Sequence, residues 1–229
     1  RVTAALCRDE ELLRCFEDPL FDIHVESARM LYGGGREELL EEDREREEGR
    51  KKDSRRQKSK AITHGAAYLG GPRVAVKTAD VPYAEAKRGI ERYRRGRPLL
   101  QEWWDRVECT LKSTRRITTC WGRTRLFLKR ADQSALREAV AHEPQSTVGD
   151  LINRAFFRLD DRLEALGAWP LLQSHDEIVC EARVGTEEEV AEVMKEEFEQ
   201  KLTLGGFEVV IPADVAIGDN WYDLEKWKG

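Results

Sequence analysis

The sequence lacks the cysteine pattern of a disulfide-bonded or zinc-stabilised protein. Its 229 residues include five cysteines, which is an odd number, and none forms a Cys-x2-Cys pair. A disulfide framework needs paired cysteines, and structural zinc sites commonly use that spacing. We therefore expect free thiols and a reducing compartment.

Long apolar runs, internal repeats and a glycine-rich phosphate loop are also missing. A membrane-spanning helix needs about 20 mostly apolar residues, and a secretory signal needs an apolar segment behind basic residues. We therefore expect a soluble protein that is not exported and has no membrane partner.

Acidic and basic residues occupy different parts of the chain. The net charge is −5, which by itself does not indicate a nucleic-acid-binding protein. Residues 37–48 carry eight acidic side chains, whereas residues 50–60 carry seven lysines or arginines. Within the run Arg36–Lys52 the main apolar residues are Leu39 and Leu40, so we expect an exposed helix or a mobile loop there, and no site.

A basic and aromatic stripe stands out in the segment Ser54–Gly71. Arg56, Lys60, His64 and Tyr68 recur every fourth residue, so on an α-helix they lie along one face. At 1.5 Å per residue the stripe is roughly 18 Å long, about the reach of a nucleoside triphosphate with a neighbouring base. Guanidinium and ammonium groups suit phosphates, and an aromatic ring suits a base. The alternative is a solvated basic face, which is common on helices.

The remaining pattern predicts several helices with short strand pairs among them. Residues 117–128 read as two short strands around Trp121-Gly122, and Trp103 and Trp104 read as core. Residues 134–166 form one helix, or two helices divided at Pro144, with Gln145 near the start of the second. A helix over residues 186–202 should begin with a capping box of Thr186 and Glu189.

Two further groups of polar residues are candidates for function. Arg123 and Arg125 are two residues apart, so in a strand they share a face; they form either an exposed basic edge or a contact to a phosphate backbone. His175, Asp176 and Glu177 fall between two apolar segments, which predicts a hairpin with all three at its turn. Such a turn could hold a divalent metal, although most acidic turns are simply solvated.

Five motifs in this order resemble the fingers and palm of family A DNA polymerases, the DNA polymerase I type, and most nearly the bacteriophage branch. They are Asp22-Ile23-His24, Arg56-x3-Lys60-x7-Tyr68, Gly122-Arg123-x-Arg125, Pro144-Gln145 and His175-Asp176-Glu177. The resemblance covers nearly the whole chain. It implies an α+β fold, with a helical subdomain and a second subdomain that has a small antiparallel sheet flanked by helices. It also implies residues 1–20 as the end of a palm motif with a connecting helix, residues 21–130 as fingers, and residues 131–229 as palm.

The resemblance also implies roles for individual residues. Arg56, Lys60 and His24 would contact the triphosphate, with Lys60 assisting catalysis. His64 falls where the family usually has Phe or Tyr beside the sugar, and Tyr68 lies near the templating base, followed by Leu69 instead of the usual glycine. The implied DNA contacts are Arg123, Arg125, Arg137, Gln145 and His175. Asp176 would bind metal, and Glu177 is a second candidate ligand. The resemblance implies two Mg²⁺ ions in the intact enzyme.

The resemblance further implies that a segment lies upstream of Arg1. Arg1-Val2 resemble the end of a strand motif whose metal-binding aspartate would come earlier. We therefore expect a C-terminal polymerase fragment, inactive alone, whose partners are primer–template DNA and a deoxynucleoside triphosphate in the cytoplasm of a bacterial or phage-infected cell. The alternatives are a single-subunit RNA polymerase-like enzyme and a catalytically inactive nucleic-acid-binding module.

Overall fold

The computed structural model describes residues 1–229 and has an α+β fold, as predicted. The ten helices are α1 Val2–Cys7, α2 Glu10–Cys15, α3 Ile23–Tyr32, α4 Arg36–Glu47, α5 Arg55–Ala67, α6 Pro72–Ala79, α7 Tyr83–Arg95, α8 Pro98–Thr114, α9 Gln133–Glu164 and α10 Glu187–Phe198. The eight strands are β1 Arg116–Thr118, β2 Thr124–Leu126, β3 Ala168–Ser174, β4 Glu177–Ala182, β5 Leu202–Leu204, β6 Phe207–Val209, β7 Ala216–Ile217 and β8 Glu225–Lys226. They form four two-stranded sheets.

The chain divides into two compact units. A helical unit comprises residues 9–117 and 125–142, and a mixed unit comprises residues 1–8, 118–124 and 143–229. The β1–β2 hairpin and helix α9 each contribute residues to both units.

Side-chain caps begin the helices that form the helical unit. The Asp22 carboxylate accepts hydrogen bonds from the backbone N–H groups of His24 and Val25, at 2.7 and 3.1 Å. The Ser54 hydroxyl accepts one from the Gln57 N–H at 3.1 Å. Such caps stabilise a helix because its first N–H groups have no partner within the helix. The starts of α3 and α5 are thus set by side chains of their own N-cap residues.

The core of the helical unit includes a residue from the acidic segment. Leu39 of α4 is fully buried and clusters with Val25 and Ala28 of α3. Trp103 and Trp104 of α8 are buried, as predicted. Of the two predictions for the acidic segment, the mobile loop was wrong: the segment forms helix α4, which is largely accessible but buries Leu39 and Asp43.

Helix α9 is continuous through Pro144. The division into two helices at this residue was one of two predictions, and it was wrong. Gln145 accordingly lies in the interior of α9, not near a helix start. A proline inside a helix removes one hydrogen bond and typically costs about 3 kcal/mol. Buried residues on each side of it, including Val140 and Leu151, supply the packing that offsets this cost.

The mixed unit has its own apolar core and a buried ion-pair network. Leu159 and Leu163 of α9 pack with Ala168 of β3 and Val190 of α10. The Glu197 side chain, only 7% exposed, is held by Arg158 and Arg162; the Arg162 Nη1 donates to it at 2.7 Å. These contacts join α9 and α10 on one side of the β3–β4 hairpin.

Helix α10 begins and ends differently from the prediction. The Thr186 side chain donates to the Arg183 carbonyl at 2.9 Å and does not cap the helix, so the predicted capping box with Glu189 is wrong. The Glu187 carboxylate instead accepts from the Gly185 N–H at 2.8 Å. The helix ends at Phe198, and Leu202 belongs to β5.

The β3–β4 hairpin has a tighter turn than predicted. Ser174 pairs with Glu177, so only His175 and Asp176 form the turn and Glu177 is the first residue of β4. His175 adopts a positive φ of 55°. The expectation that all three polar residues occupy the turn was therefore wrong by one residue.

None of the ten helices has the length and apolar character that a membrane crossing requires.

Candidate nucleotide and metal sites

Helix α5 exposes two consecutive steps of the predicted stripe. Lys60 and His64 are exposed, while Ser59, Ile62 and Ala66 on the other side are buried in the helical unit. The His64 and Tyr68 rings meet edge to face, with centroids 5.2 Å apart. Three members of the stripe therefore lie together at the C-terminal part of α5, where Tyr68 is the capping residue.

A cavity borders this face, and small-molecule sites usually have volumes of about 300–1,000 Å³. Its volume is about 540 Å³. Lys60, Ala61 and His64 line it from α5, and Val74 and Thr78 line it from α6. An ammonium group, an imidazole and a hydroxyl thus converge on one space beside small apolar side chains. Asp53 and Asp80 also line the cavity, beside Lys58, so it is the Lys60–His64 side of the cavity that suits an anionic ligand carrying a ring.

Arg56, the first member of the stripe, is engaged by two carboxylates. Its Nε and Nη2 donate to one oxygen of Asp22 at 2.9 and 2.8 Å, and its Nη1 donates to Asp43 at 2.8 Å. Burial opposes ionisation of both acids, but hydrogen bonds and nearby charges outweigh it. The hydrogen bonds from Arg56 lower the pKa of Asp22. Hydrogen bonds from Ser54 and Arg46, together with the charge of Arg56, lower the pKa of Asp43. Sequence reasoning did not identify these partners.

The neighbouring Arg55 is held in a similar way by α4. Its Nε donates to Glu42 at 2.6 Å, and its Nη2 donates to Glu38. Glu38 and Glu42 are four residues apart and so share one face of α4. That spacing was the available signal that the acidic helix pairs with the basic helix, and it was missed.

His24 lies in the first turn of α3 beside α5. The Ser59 hydroxyl donates to the His24 carbonyl at 3.0 Å, and the buried His24 Nδ1 has no hydrogen-bond partner. Burial is the main reason why the pKa of His24 lies below its usual value. Lys60, Arg56 and His64 lower it further, while Asp22 opposes them. Burial and the nearby Lys60 and Arg56 cations therefore favour the neutral form of the imidazole.

The C-terminal end of α5 is fixed by glycine geometry and by α7 and α8. Leu69 has a φ of 59°, the left-handed region that favours glycine. A Cβ on Gly70 would come within 2.5 Å of the Gly65 carbonyl oxygen, so only glycine fits there. The Trp104 Nε1 donates to the Ala67 carbonyl at 3.1 Å, and Arg94 donates to the Gly70 carbonyl at 3.3 Å.

The acidic hairpin presents Asp176 to solvent. Its side chain is 67% exposed, and its carboxylate lies 3.7 Å from the Nδ1 of His175, which is 93% exposed. Asp176 and Glu177 also line a cavity of about 400 Å³ together with apolar residues such as Met194 and Phe198. Carboxylate oxygens are the ligands that Mg²⁺ prefers. No group of three or more His, Cys, Asp or Glu residues is arranged to hold a metal ion.

The predicted DNA-contact residues fall into two groups. Arg123, just before β2, is paired with Asp150 in the mixed unit. Arg125 in the helical unit is paired with Glu138 and lies over the Phe127 ring at 5.0 Å. The two arginines thus have separate carboxylate partners and do not form one free basic edge. The other residues, Arg137, Gln145 and His175, are exposed.

Comparison with a solved structure identifies the class of fold. The POL domain of Pol1 from M. smegmatis, in a complex with DNA primer-template and dNTP, matches with a TM-score of 0.69 over 86% of this chain and 34% of that chain, at 23% identity. The fold is that of a polymerase domain. A family model described as DNA polymerase family A matches residues 1–223. The chain therefore belongs to DNA polymerase family A, as its motifs predicted.

The curated relatives include bacterial enzymes. DNA polymerase I, thermostable, of Thermus aquaticus is 34% identical over 236 residues, which cover 99% of this chain and 26% of the relative. DNA polymerase I of Geobacillus stearothermophilus is 27% identical over 98% of this chain and 25% of the relative. The chain thus spans about a quarter of the length of these relatives. The narrower prediction of a bacteriophage-like branch stays a prediction.

Proposed function

We propose that this chain is part of a DNA-directed DNA polymerase that adds deoxynucleotides to a primer 3′-hydroxyl. The observation that carries the proposal is the exposed Lys60–His64 face of α5 beside its cavity, in a chain of DNA polymerase family A. The similar polymerase domain from M. smegmatis forms a complex with primer-template DNA and dNTP. We assign residues 21–130 to the fingers, 131–229 to the palm and 1–20 to a palm motif with its connecting helix.

In this proposal the helical unit holds the nucleotide. Lys60 contacts the triphosphate and neutralises charge on the departing pyrophosphate, while Arg56 and His24 supply further phosphate contacts. His64 lies beside the sugar, and Tyr68 lies beside the templating base. The primer 3′-oxygen forms a bond to the α-phosphorus as the bond to the bridging oxygen breaks, and pyrophosphate leaves with that electron pair.

The mixed unit contributes the acidic hairpin. Asp176, with Glu177 as its neighbour, would hold Mg²⁺, because both side chains are exposed carboxylates, Asp176 on the two-residue turn and Glu177 as the first residue of β4; these two residues alone do not make a complete metal-binding group. Bound divalent ions would supply charge stabilisation for the attacking and leaving oxygens. Arg123, Arg125, Arg137, Gln145 and His175 would contact the primer–template, with Arg123 and Arg125 exchanging their carboxylate partners for phosphates.

A chimera tests this function. The matched segment of the Thermus aquaticus enzyme is replaced by this chain, and primer extension is measured with Mg²⁺ and each nucleotide set. We expect template-dependent extension with deoxynucleotides that requires Asp176. Extension that prefers ribonucleotides would favour an RNA polymerase-like enzyme. A folded chimera that binds primer–template without extending it would favour a catalytically inactive binding module.

A further inference from the structure

The charge of Arg56 is balanced by two carboxylates before any nucleotide binds. Asp22 from α3 and Asp43 from α4 both contact it, and the Arg56 side chain is only 20% exposed. Lys60, one turn further along α5, is exposed. The two cations proposed to contact phosphates therefore differ in availability, although both lie on the same face of one helix.

Asp43 is the more specialised of the two partners. One of its oxygens accepts from Ser54 and from the Arg46 Nε at 3.2 Å, and the other accepts from Arg56. Its side chain is 8% exposed. Asp22 caps α3 through two backbone hydrogen bonds, whereas the other partners of Asp43 are side chains, Ser54 and Arg46, which bind the oxygen that Arg56 does not use.

Two-point phosphate binding by the Arg56 guanidinium competes with its carboxylate partners. A guanidinium carries five N–H groups, and three of those of Arg56 already donate to carboxylates. Bidentate phosphate binding uses two parallel N–H groups from one edge of the fork. Asp22 occupies the Nε–Nη2 edge, so a phosphate would bind at the Nη1–Nη2 edge, where it competes with Asp43 for Nη1.

We propose that Asp43 is a positioning residue that competes with the nucleotide triphosphate for Arg56. The proposal rests on the proposed function, because it takes Arg56 as a phosphate-binding residue. The acidic helix α4 thereby occupies the arginine in the absence of nucleotide, and phosphate binding releases it from Asp43 while Asp22 keeps α3 capped. Asp43 sets the affinity for the nucleotide through Arg56 alone.

The test measures dATP binding to the 229-residue chain by equilibrium titration. The variants are Asp43→Asn, Arg56→Gln and the double variant, with Glu42→Gln as a matched control that removes the same charge from the same helix but contacts Arg55. We expect Asp43→Asn to tighten binding about fivefold, since an ion pair of about 1 kcal/mol no longer competes. In the Arg56→Gln background the same change should have no effect, which a general electrostatic effect would not produce.

Several outcomes overturn the proposal. In the first, Asp43→Asn leaves the affinity unchanged. In the second, Glu42→Gln tightens binding equally. In the third, the effect of Asp43→Asn persists in the Arg56→Gln background. Asp43→Glu, which keeps the charge, should not tighten binding. If Asp43→Asn does not fold, the Arg56 Nε–H signal of the wild-type chain is followed by NMR as dATP is added, and an unchanged signal at saturation rejects the competition. If the proposed function is itself wrong, neither the wild-type chain nor any variant binds dATP, and this result differs from each of the outcomes above.

Discussion

His64 and Tyr68 lie one helical turn apart with their rings edge to face, at an interplanar angle of 72°. Edge-to-face packing directs the positive edge of one ring at the negative face of the other. His64 is exposed on the cavity side of α5, so its position is defined both by the helix and by Tyr68. This arrangement gives the imidazole a preferred orientation at the place where we propose that the sugar lies.

Replacing His64 with Tyr should change sugar selectivity. In the active chimera, His64→Tyr is expected to alter the ratio of dideoxy- to deoxynucleotide incorporation by at least severalfold, because a phenol hydroxyl replaces an imidazole beside the sugar. Affinity for primer–template should stay the same. Competition assays with both nucleotide types measure the ratio, and a constant ratio in a folded variant would remove His64 from the sugar site.

Loss of the Lys60 ammonium should weaken use of the nucleotide. A hydrogen bond to a charged group contributes about 1.5–3 kcal/mol, so Lys60→Ala should lower kcat/KM for the nucleotide at least tenfold. The matched control is Lys112→Ala on α8, whose side chain pairs with Glu108 at 2.7 Å and does not line the cavity. Equal losses in both variants would contradict a specific role for Lys60.

The exposed carboxylate of Asp176 should be required for metal-dependent extension. Asp176→Asn keeps the size of the side chain and removes its charge, so the chimera should fold normally and lose Mg²⁺-dependent activity by at least a hundredfold, a loss of about 2.7 kcal/mol or more. Asp160→Asn, an exposed acid on α9 of the same unit, serves as the control. Steady-state primer extension over a range of Mg²⁺ concentrations measures both variants.

Acid should weaken the pairing of α3, α4 and α5. The pKa values of Asp22 and Asp43 are lowered in the folded chain. Their contribution to stability is therefore complete above the unfolded pKa of about 3.9 and is lost as the pH falls through the lower folded values. Melting temperatures of the wild type and Asp43→Asn should differ at pH 6, and the difference should shrink as the pH falls below about 4 and through the lowered folded pKa values. A difference that persists at low pH would contradict this linkage.

Local sequence determined the elements that carry the candidate site. The side chains of Asp22 and Ser54 begin α3 and α5 by capping their own backbone, and four-residue spacing puts Lys60 and His64 on one face of α5. These interactions join residues a few positions apart. The order of the motifs was likewise sufficient to predict DNA polymerase family A and an α+β fold.

Only the tertiary structure decided which charges are available. Arg56 meets Asp22 and Asp43, which lie 34 and 13 residues away in the chain, and neither distance corresponds to a helical repeat. The same reason applies to Arg123 and Arg125, whose carboxylate partners Asp150 and Glu138 come from α9. Periodicity shows which side chains share a face, whereas the partner opposite that face depends on how separate helices pack.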